Sequence, residues 1–277
     1  MKNRINKILC YIVLIVLSIM CIFSFYLLIV NSTRAHSQIQ KGFSFALGNF
    51  FGANLKNVLS NGELPVVKGI INSLTVSSLT AVLASYFSVL TAFAIHSYNF
   101  RLKRIAFTFI MMIMMIPPQV TALGFVRWMA KLGLIDSLVP LFLPSVASPI
   151  VFYFMLSYMQ SNLPKAMIEA ARIDGASEFR IFNQIVIPVM KPAIAVQAIF
   201  TFVGAWNNYF IPSLIIRSAE KKTLPILVAQ LRSADYLKFD MGQVYMLVFL
   251  AIIPIIIVYI LLSKYIVRGV AVGSVKE

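Results

Sequence analysis

Long apolar runs alternate with short polar breaks along the whole chain. Runs at 8–30, 67–96, 105–126, 138–158, 192–216 and 244–266 each hold roughly 18 or more residues, enough at about 1.5 Å per residue to cross about 30 Å of hydrocarbon. Backbone polar groups at that depth must be bonded within the segment, so each run predicts a spanning helix. The expected fold class is all-α: a polytopic membrane protein with six transmembrane helices. Lys2, Arg4 and Lys7 before the first run also fit the basic flank of a secretory signal, but the run is too long for a signal core and no clear small-x-small site follows it.

Inside the runs the pattern is finer. Ser73, Ser77, Thr80, Ala84, Ser88 and Thr91 recur at steps of three and four, giving the second helix one small, weakly polar face. Such a face serves close helix packing or lines a solute pathway, and Ser77 and Thr80 are the pathway candidates. Pro117 and Pro118 in the third run predict a kink, with Gln119 and Thr121 as local partners for freed carbonyls. Between the first two runs, 31–68 sets Phe43, Phe45, Phe50 and Phe51 among polar residues, as in an interfacial stretch on the outer side; Gly48 and Gly52 there carry no weight as a helix-packing pair. The expected organisation is a first helix and outer segment at 1–66 and a five-helix core at 67–277, with a polar loop at 160–191.

That loop predicts two short helices at an angle. Pro164 suits a first turn, Ala166, Ile168, Ala170 and Ala171 propagate well, and Gly175 fits the position past a helix end where φ is positive. Ser177 can cap a second helix with Glu178 in its first turn, Phe179, Phe182, Ile185 and Val186 form its apolar stripe, and Pro188 is expected to stop it. Such a unit is either an amphipathic connector lying on the membrane or a projection for a cleft in another protein.

Composition agrees with the spans: 60% of the residues are hydrophobic and the mean hydropathy is +0.88. The net charge of +15 is scattered over loops on both sides, which fits anionic lipid headgroups and excludes a nucleic-acid face. With both termini inside, the cytoplasmic cations are Lys2, Arg4, Lys7, Arg101, Lys103, Arg104, Lys165, Arg172, Arg180, Lys191, Lys264, Arg268 and Lys276, thirteen of 24, the densest group following the second run. Cys10 and Cys21 lie about 16 Å apart on one helix, too far for a bridge, and read as packing residues. No ionisable residue falls near mid-span, so an ion-coupled pump is disfavoured. His36 and His96 stand isolated at interfaces. There is no metal-ligand spacing and no phosphate loop ending in Lys-Ser/Thr, so energy has to come from elsewhere.

The string Glu169-Ala170-Ala171, three residues, Gly175, nine residues, then Ile185-Val186-Ile187-Pro188 resembles the signature of permease subunits of binding-protein-dependent ATP-binding-cassette importers, departing only at Ile187. Asn72-Ser73-Leu74, Arg101 with Lys103 and Arg104, Gly133-Leu134-Ile135, Leu143-Pro144, Ser148-Pro149, Thr201 through Asn208, and the tail motifs Val267-Arg268-Gly269 and Gly273-Ser274-Val275-Lys276 are similar to the carbohydrate-uptake branch, in particular the shorter permease of maltose-type systems. The resemblance covers roughly 67–276.

The resemblance implies a type I importer permease fold in which the two short helices couple to an ATPase, a role it places on Glu169, Ala170, Ala171, Asp174, Gly175 and Pro188. It implies a bacterial inner-membrane location, where the cation distribution puts both termini in the cytoplasm, a second and non-identical permease subunit, two ATPase subunits and an extracytoplasmic solute-binding protein. This chain then binds no cofactor; ATP and Mg belong to the partner ATPase. Trp206, Asn207, Asn208 and Tyr209 combine an aromatic face with amides, chemistry suited to sugars or to anchoring the bundle. The rival readings are an importer permease for a polyamine or phosphate, which calls for charge along the route, and a membrane-embedded lipid enzyme, which calls for His, Asp or Cys clusters at the interface.

Overall fold

The computed structural model describes residues 2–62, 64–233 and 240–273, and among these no strand occurs. Lys276 and the string Ser274-Val275-Lys276 lie outside the described residues. The helices are α1 (Lys2–Ser32), α2 (His36–Gln40), α3 (Phe51–Leu59), α4 (Val66–Ser97), α5 (Lys103–Ile113), α6 (Pro118–Lys131) and α7 (Val139–Phe142). After a 3-10 turn come α8 (Pro149–Asn162), α9 (Lys165–Ile173), α10 (Glu178–Ile181), a π turn (Phe182–Val186) and α11 (Ile187–Trp206), then α12 (Phe210–Ile215), α13 (Leu224–Arg232) and α14 (Met241–Gly273).

Among the described residues five apolar stretches are long enough to cross a membrane: Lys7–Ser32, Val66–Ser97, Val139–Asn162, Glu178–Trp206 and Met241–Ser263; α5 and α6, bent by 98°, give a sixth when the pair is taken as one span. The third run is therefore broken rather than kinked. Pro117 is extended at φ −63° and ψ 130° and Pro118 opens α6, because the residue before a proline is forced out of helical conformation and neither ring donates a hydrogen bond. Tight bonds from Met115 and Ile116 to the Met112 and Ile113 carbonyls close α5, and Thr121 Oγ1 donates to the Pro118 carbonyl at 3.0 Å.

The fifth run also differs from expectation, since α11 ends at Trp206 and α12 is separate. A continuous helix would drive the Pro212 ring into the Asn208 carbonyl, and Asn207-Asn208 favour turn conformations. Pro188 does not stop the preceding helix. The π turn moves hydrogen bonding from i−4 to i−5, Ile187 N–H bonding the Phe182 carbonyl. Pro188, whose own N–H is missing, then sits in the first turn of α11, where no donor is needed.

The chain forms two compact units, 1–67 with 227–253 and 68–226 with 254–277. In the first, Asn54 is 4% exposed and its Nδ2 donates to the Ser32 and Arg34 carbonyls at 2.9 and 3.0 Å, fastening α3 to the end of α1. Gly48 N–H bonds Thr33 Oγ1 at 2.8 Å, and a Cβ on Gly48 would lie 2.3 Å from the Thr33 carbonyl oxygen. Gly48 thus has a packing role that helix-pair spacing does not reveal. Phe43 and Phe45 cluster on Phe23, while Cys10 and Cys21, read as packing residues, are exposed free thiols on an α1 that buries none of its apolar window.

The second unit holds the main core. Ala84, Val89 and Phe93 of α4 pack with Phe152, Met155 and Met159 of α8 and with Met190 and Ala193 of α11, flanked by Phe107 and Ile110 of α5. The small face of α4 is buried as a packing face: Ser73, Ser77, Ala84 and Ser88 are each at most 2% exposed. Ser73 Oγ accepts the Leu224 N–H at 2.8 Å, while Ser77 Oγ and Thr80 Oγ1 are buried with no hydrogen-bond partner.

Candidate functional site

The segment from α9 to the π turn has an inner and an outer face. Its inner face carries Ile168 (1% exposed), Ala171, Ile181 (0%), Phe182 and Val186, all within the core shared by α4, α8 and α11. Its outer face carries Glu169, Ala170, Asp174 and Gly175, all exposed, with Ile173 and Phe179 exposed by 86% and 76%; Pro188, also exposed, lies beyond the segment in the first turn of α11. Of the six residues singled out for coupling, four therefore share the outer face, Ala171 faces in, and Pro188 falls in α11. Phe179, placed on the buried stripe from the sequence, points outward and Ile181 takes its place. The helical turn of α10 is too short to repeat a stripe before the π turn changes the period.

Local chemistry fixes the turn between the helices. Pro164 caps α9 in extended conformation. Gly175 has φ +77° and its N–H bonds the Arg172 carbonyl at 3.0 Å, while Ala176 N–H reaches back to Ala171 at 3.0 Å, a glycine-terminated helix end. Ser177 Oγ accepts the Arg180 N–H at 3.3 Å, as expected for a cap.

A tether emerged that spacing alone did not reveal. Arg172 Nε and Nη2 donate to the two Glu178 oxygens at 2.6 and 3.2 Å, Tyr98 Oη donates to Glu178 Oε2, and the Arg172 guanidinium lies 5.1 Å over the Tyr98 ring. Burial first, and then the Glu178 carboxylate, push the Tyr98 phenol up. The pair Arg172 and Glu178 spans the Gly175 turn and was visible in principle; Tyr98 comes from the end of α4 and was not.

The break at Pro117 opens a second region. A cavity of about 550 Å³ is lined by Thr121, Phe125 and Trp128 of α6, Pro140 and Pro144, and Asn208 after α11. No charged side chain lines it. Asn208 is the one pathway candidate brought there; Asn207 and Tyr209 are exposed, and Trp206, 2% exposed, stacks on Phe202 with ring centroids 5.8 Å apart. In the loop before α7, Asp136 adopts φ +58°, and its Oδ1 accepts the Arg217 and Ser218 N–H groups, each at 2.9 Å. These bonds, the Ser218 backbone foremost, hold the Asp136 carboxyl well below the usual carboxylate range. Among the described residues no group of His, Cys, Asp and Glu has the arrangement of a metal site.

With this geometry in place, the comparisons decide the class. Residues 84–272 match the family described as binding-protein-dependent transport system inner membrane component. The chain belongs to that family. It is 32% identical over 94% of its length, and 92% of the relative's, to the arabinooligosaccharides transport system permease protein AraQ of Bacillus subtilis. It is 27% identical over its full length, and 98% of the relative's, to the lactose transport system permease protein LacG of Rhizobium radiobacter. The sn-glycerol-3-phosphate transport system permease protein UgpE of Yersinia pestis is 29% identical, covering 94% of both chains. A chain of a bacterial ABC transporter involved in the import of the acidic polysaccharide alginate superposes with a TM-score of 0.82 at 24% identity, over 95% of this chain and 97% of that one. The fold is that of an ABC importer permease. The protein is a multi-pass permease subunit of the inner membrane and not an enzyme; ATP hydrolysis falls to a separate subunit.

Proposed function

We propose that this permease forms half of the translocation pathway of an ATP-driven importer for sugars or oligosaccharides, and that the outer face of its α9 to π-turn segment receives the push of a partner ATPase. The carrying observation is the two-faced segment itself. Its inner face is keyed into the α4, α8 and α11 core, so a displacement applied to Glu169, Ala170, Asp174 and Gly175 is passed to the spans that the segment joins covalently. A second, non-identical permease completes the pathway, two ATPase subunits supply the energy with their own ATP and Mg, and an extracytoplasmic binding protein delivers the solute. Both termini are cytoplasmic, and this chain binds no cofactor. Residues 67–277 form the permease core and 1–66 a first helix with an outer segment.

For the solute, two curated relatives are named for arabinooligosaccharides and lactose, and one for a phosphate ester. The cavity at Asn208 favours a neutral ligand: Trp128, 61% exposed, gives a stacking face, Thr121 and Asn208 give hydrogen bonds, and no cation is present to meet a phosphate. Ser77, Thr80, Asn207 and Tyr209 remain pathway residues of this proposal, as does Trp206 at the end of α11. Uptake of labelled arabino-oligosaccharide and of sn-glycerol 3-phosphate by the complete complex in proteoliposomes tests it. Oligosaccharide uptake that falls roughly tenfold at low substrate in Asn208→Ala, the loss of one hydrogen bond in a desolvated site, is the expected result. Preference for the phosphate ester would overturn the sugar reading.

A further inference from the structure

At the end of α4, where α5 and α9 start, the second unit contains a cavity of about 590 Å³ that the transport reading leaves unused. Its rim carries Arg101, Lys103, Arg104 and Lys165, and its wall is made by Phe107 and Leu156. No Asp or Glu lines it. The ion pairs among the described residues, Lys68 with Glu220, Arg172 with Glu178 and Lys221 with Asp136, involve none of the four cations. Lys103 Nζ is committed to the Tyr98 carbonyl at 3.0 Å, and His96, 9% exposed, is fixed by its Nε2 bond to the Leu163 carbonyl at 3.0 Å.

Two helix starts meet the same rim. The first residue of α5 is Lys103 and that of α9 is Lys165, and neither helix has a side-chain cap or an acidic residue in its first turn. Their positive ends add to the cationic side chains. Like charges gathered on one rim repel each other until an anion sits among them. A small anion would meet the cations and leave the apolar wall wet, whereas an amphiphile matches both. From the rim, α5 leads away with Ile105, Phe109 and Met112 exposed by 66%, 59% and 54%, a strip with the chemistry of an acyl chain.

We propose that this cavity binds the phosphate headgroup of an anionic phospholipid, with its acyl chains lying along the exposed face of α5. The headgroup bridges Arg101 on the α4–α5 turn, Arg104 in the first turn of α5 and Lys165 at the start of α9, so that, on the proposed function, membrane composition acts on the base of the segment that meets the ATPase. The inference rests on this chain's own residues and holds whichever solute is carried.

Thermal unfolding of the complete purified complex in neutral detergent tests it, with dioctanoyl phosphatidylglycerol, dioctanoyl phosphatidylcholine and inorganic phosphate as probes. Phosphatidylglycerol is expected to raise the midpoint while the other two do not. The double variant Arg101→Gln with Arg104→Gln is expected to need about thirtyfold more phosphatidylglycerol for the same rise, at the usual increment for two cations at an anionic surface. Arg101→Lys with Arg104→Lys should restore most of the response. Both arginines are exposed, so neutralising them opens no core. An unchanged response in the Gln variant, or equal stabilisation by phosphatidylcholine, overturns the proposal. Stabilisation by inorganic phosphate at the same concentrations overturns the lipid and leaves a free-anion site.

Discussion

At Gly48 a methyl group would sit 2.3 Å from the Thr33 carbonyl oxygen, so the backbone has to move before alanine fits. Gly48→Ala is expected to destabilise the α1–α3 connection by about 1–3 kcal/mol, the ordinary cost of overpacking, read as a lower melting midpoint of the purified complex. Gly175 is glycine for a different reason. Its φ is +77° and a Cβ there meets nothing within 4 Å, so the constraint is conformational. Gly175→Asn should keep coupling near normal, because asparagine tolerates this region. Gly175→Val should lower the ratio of solute transported to ATP hydrolysed, at a conformational cost of about 1–2 kcal/mol. Asp136 carries a pH dependence with a definite sign. Its folded-state pKa is depressed, so its stabilising bonds are fully present above about pH 4, the ordinary Asp value, and are lost as the pH falls through the lower folded value. Amide-exchange protection at Arg217 and Ser218 should therefore drop on acidification below pH 4 in the native protein. In Asp136→Asn it should start weaker and show no such step.

At the scale of elements, the α9–α10 turn is held to the end of α4 by Arg172, Glu178 and Tyr98. The Arg172 and Glu178 side chains are 33% and 46% exposed, so the pair contributes at most about 1 kcal/mol to stability. Its effect is expected in register instead. Arg172→Gln should leave the melting midpoint within a few degrees while lowering transport per ATP hydrolysed; equal falls in both would make the tether purely structural. How legible these elements were depended on how local their causes are. Gly175, Ser177 and Pro164 announced the two short helices because caps and positive φ are decided within a few residues. Pro188 was misread because a π turn, set by core packing of Ile181, Phe182 and Val186, absorbs its missing donor. Pro117 and Pro118 mark where the third run is interrupted, but the expected kink is a break of 98°, an angle that proline chemistry alone does not set. Tyr98, Gly48 and the cavity at Arg101 depend on residues brought together from distant positions, and no spacing rule reaches them.

At the scale of the whole molecule, the chain has spans and a two-faced projecting segment but no phosphate loop, and among its described residues no metal cluster. Membership in the importer permease family accounts for that combination: the energy enters through another subunit. The exposed face of α9 is where that energy is proposed to enter this chain. The decisive measurement is solute uptake together with ATP hydrolysis in proteoliposomes holding the complete complex, native or with Glu169→Lys, at matched amounts of assembled protein. Glu169 is exposed, so insertion should be unaffected. Uptake is expected to fall roughly tenfold or more, the cost of replacing one charge-assisted contact by a repulsive one, while hydrolysis loses its link to transport. Native uptake by the Glu169→Lys complex would contradict the account.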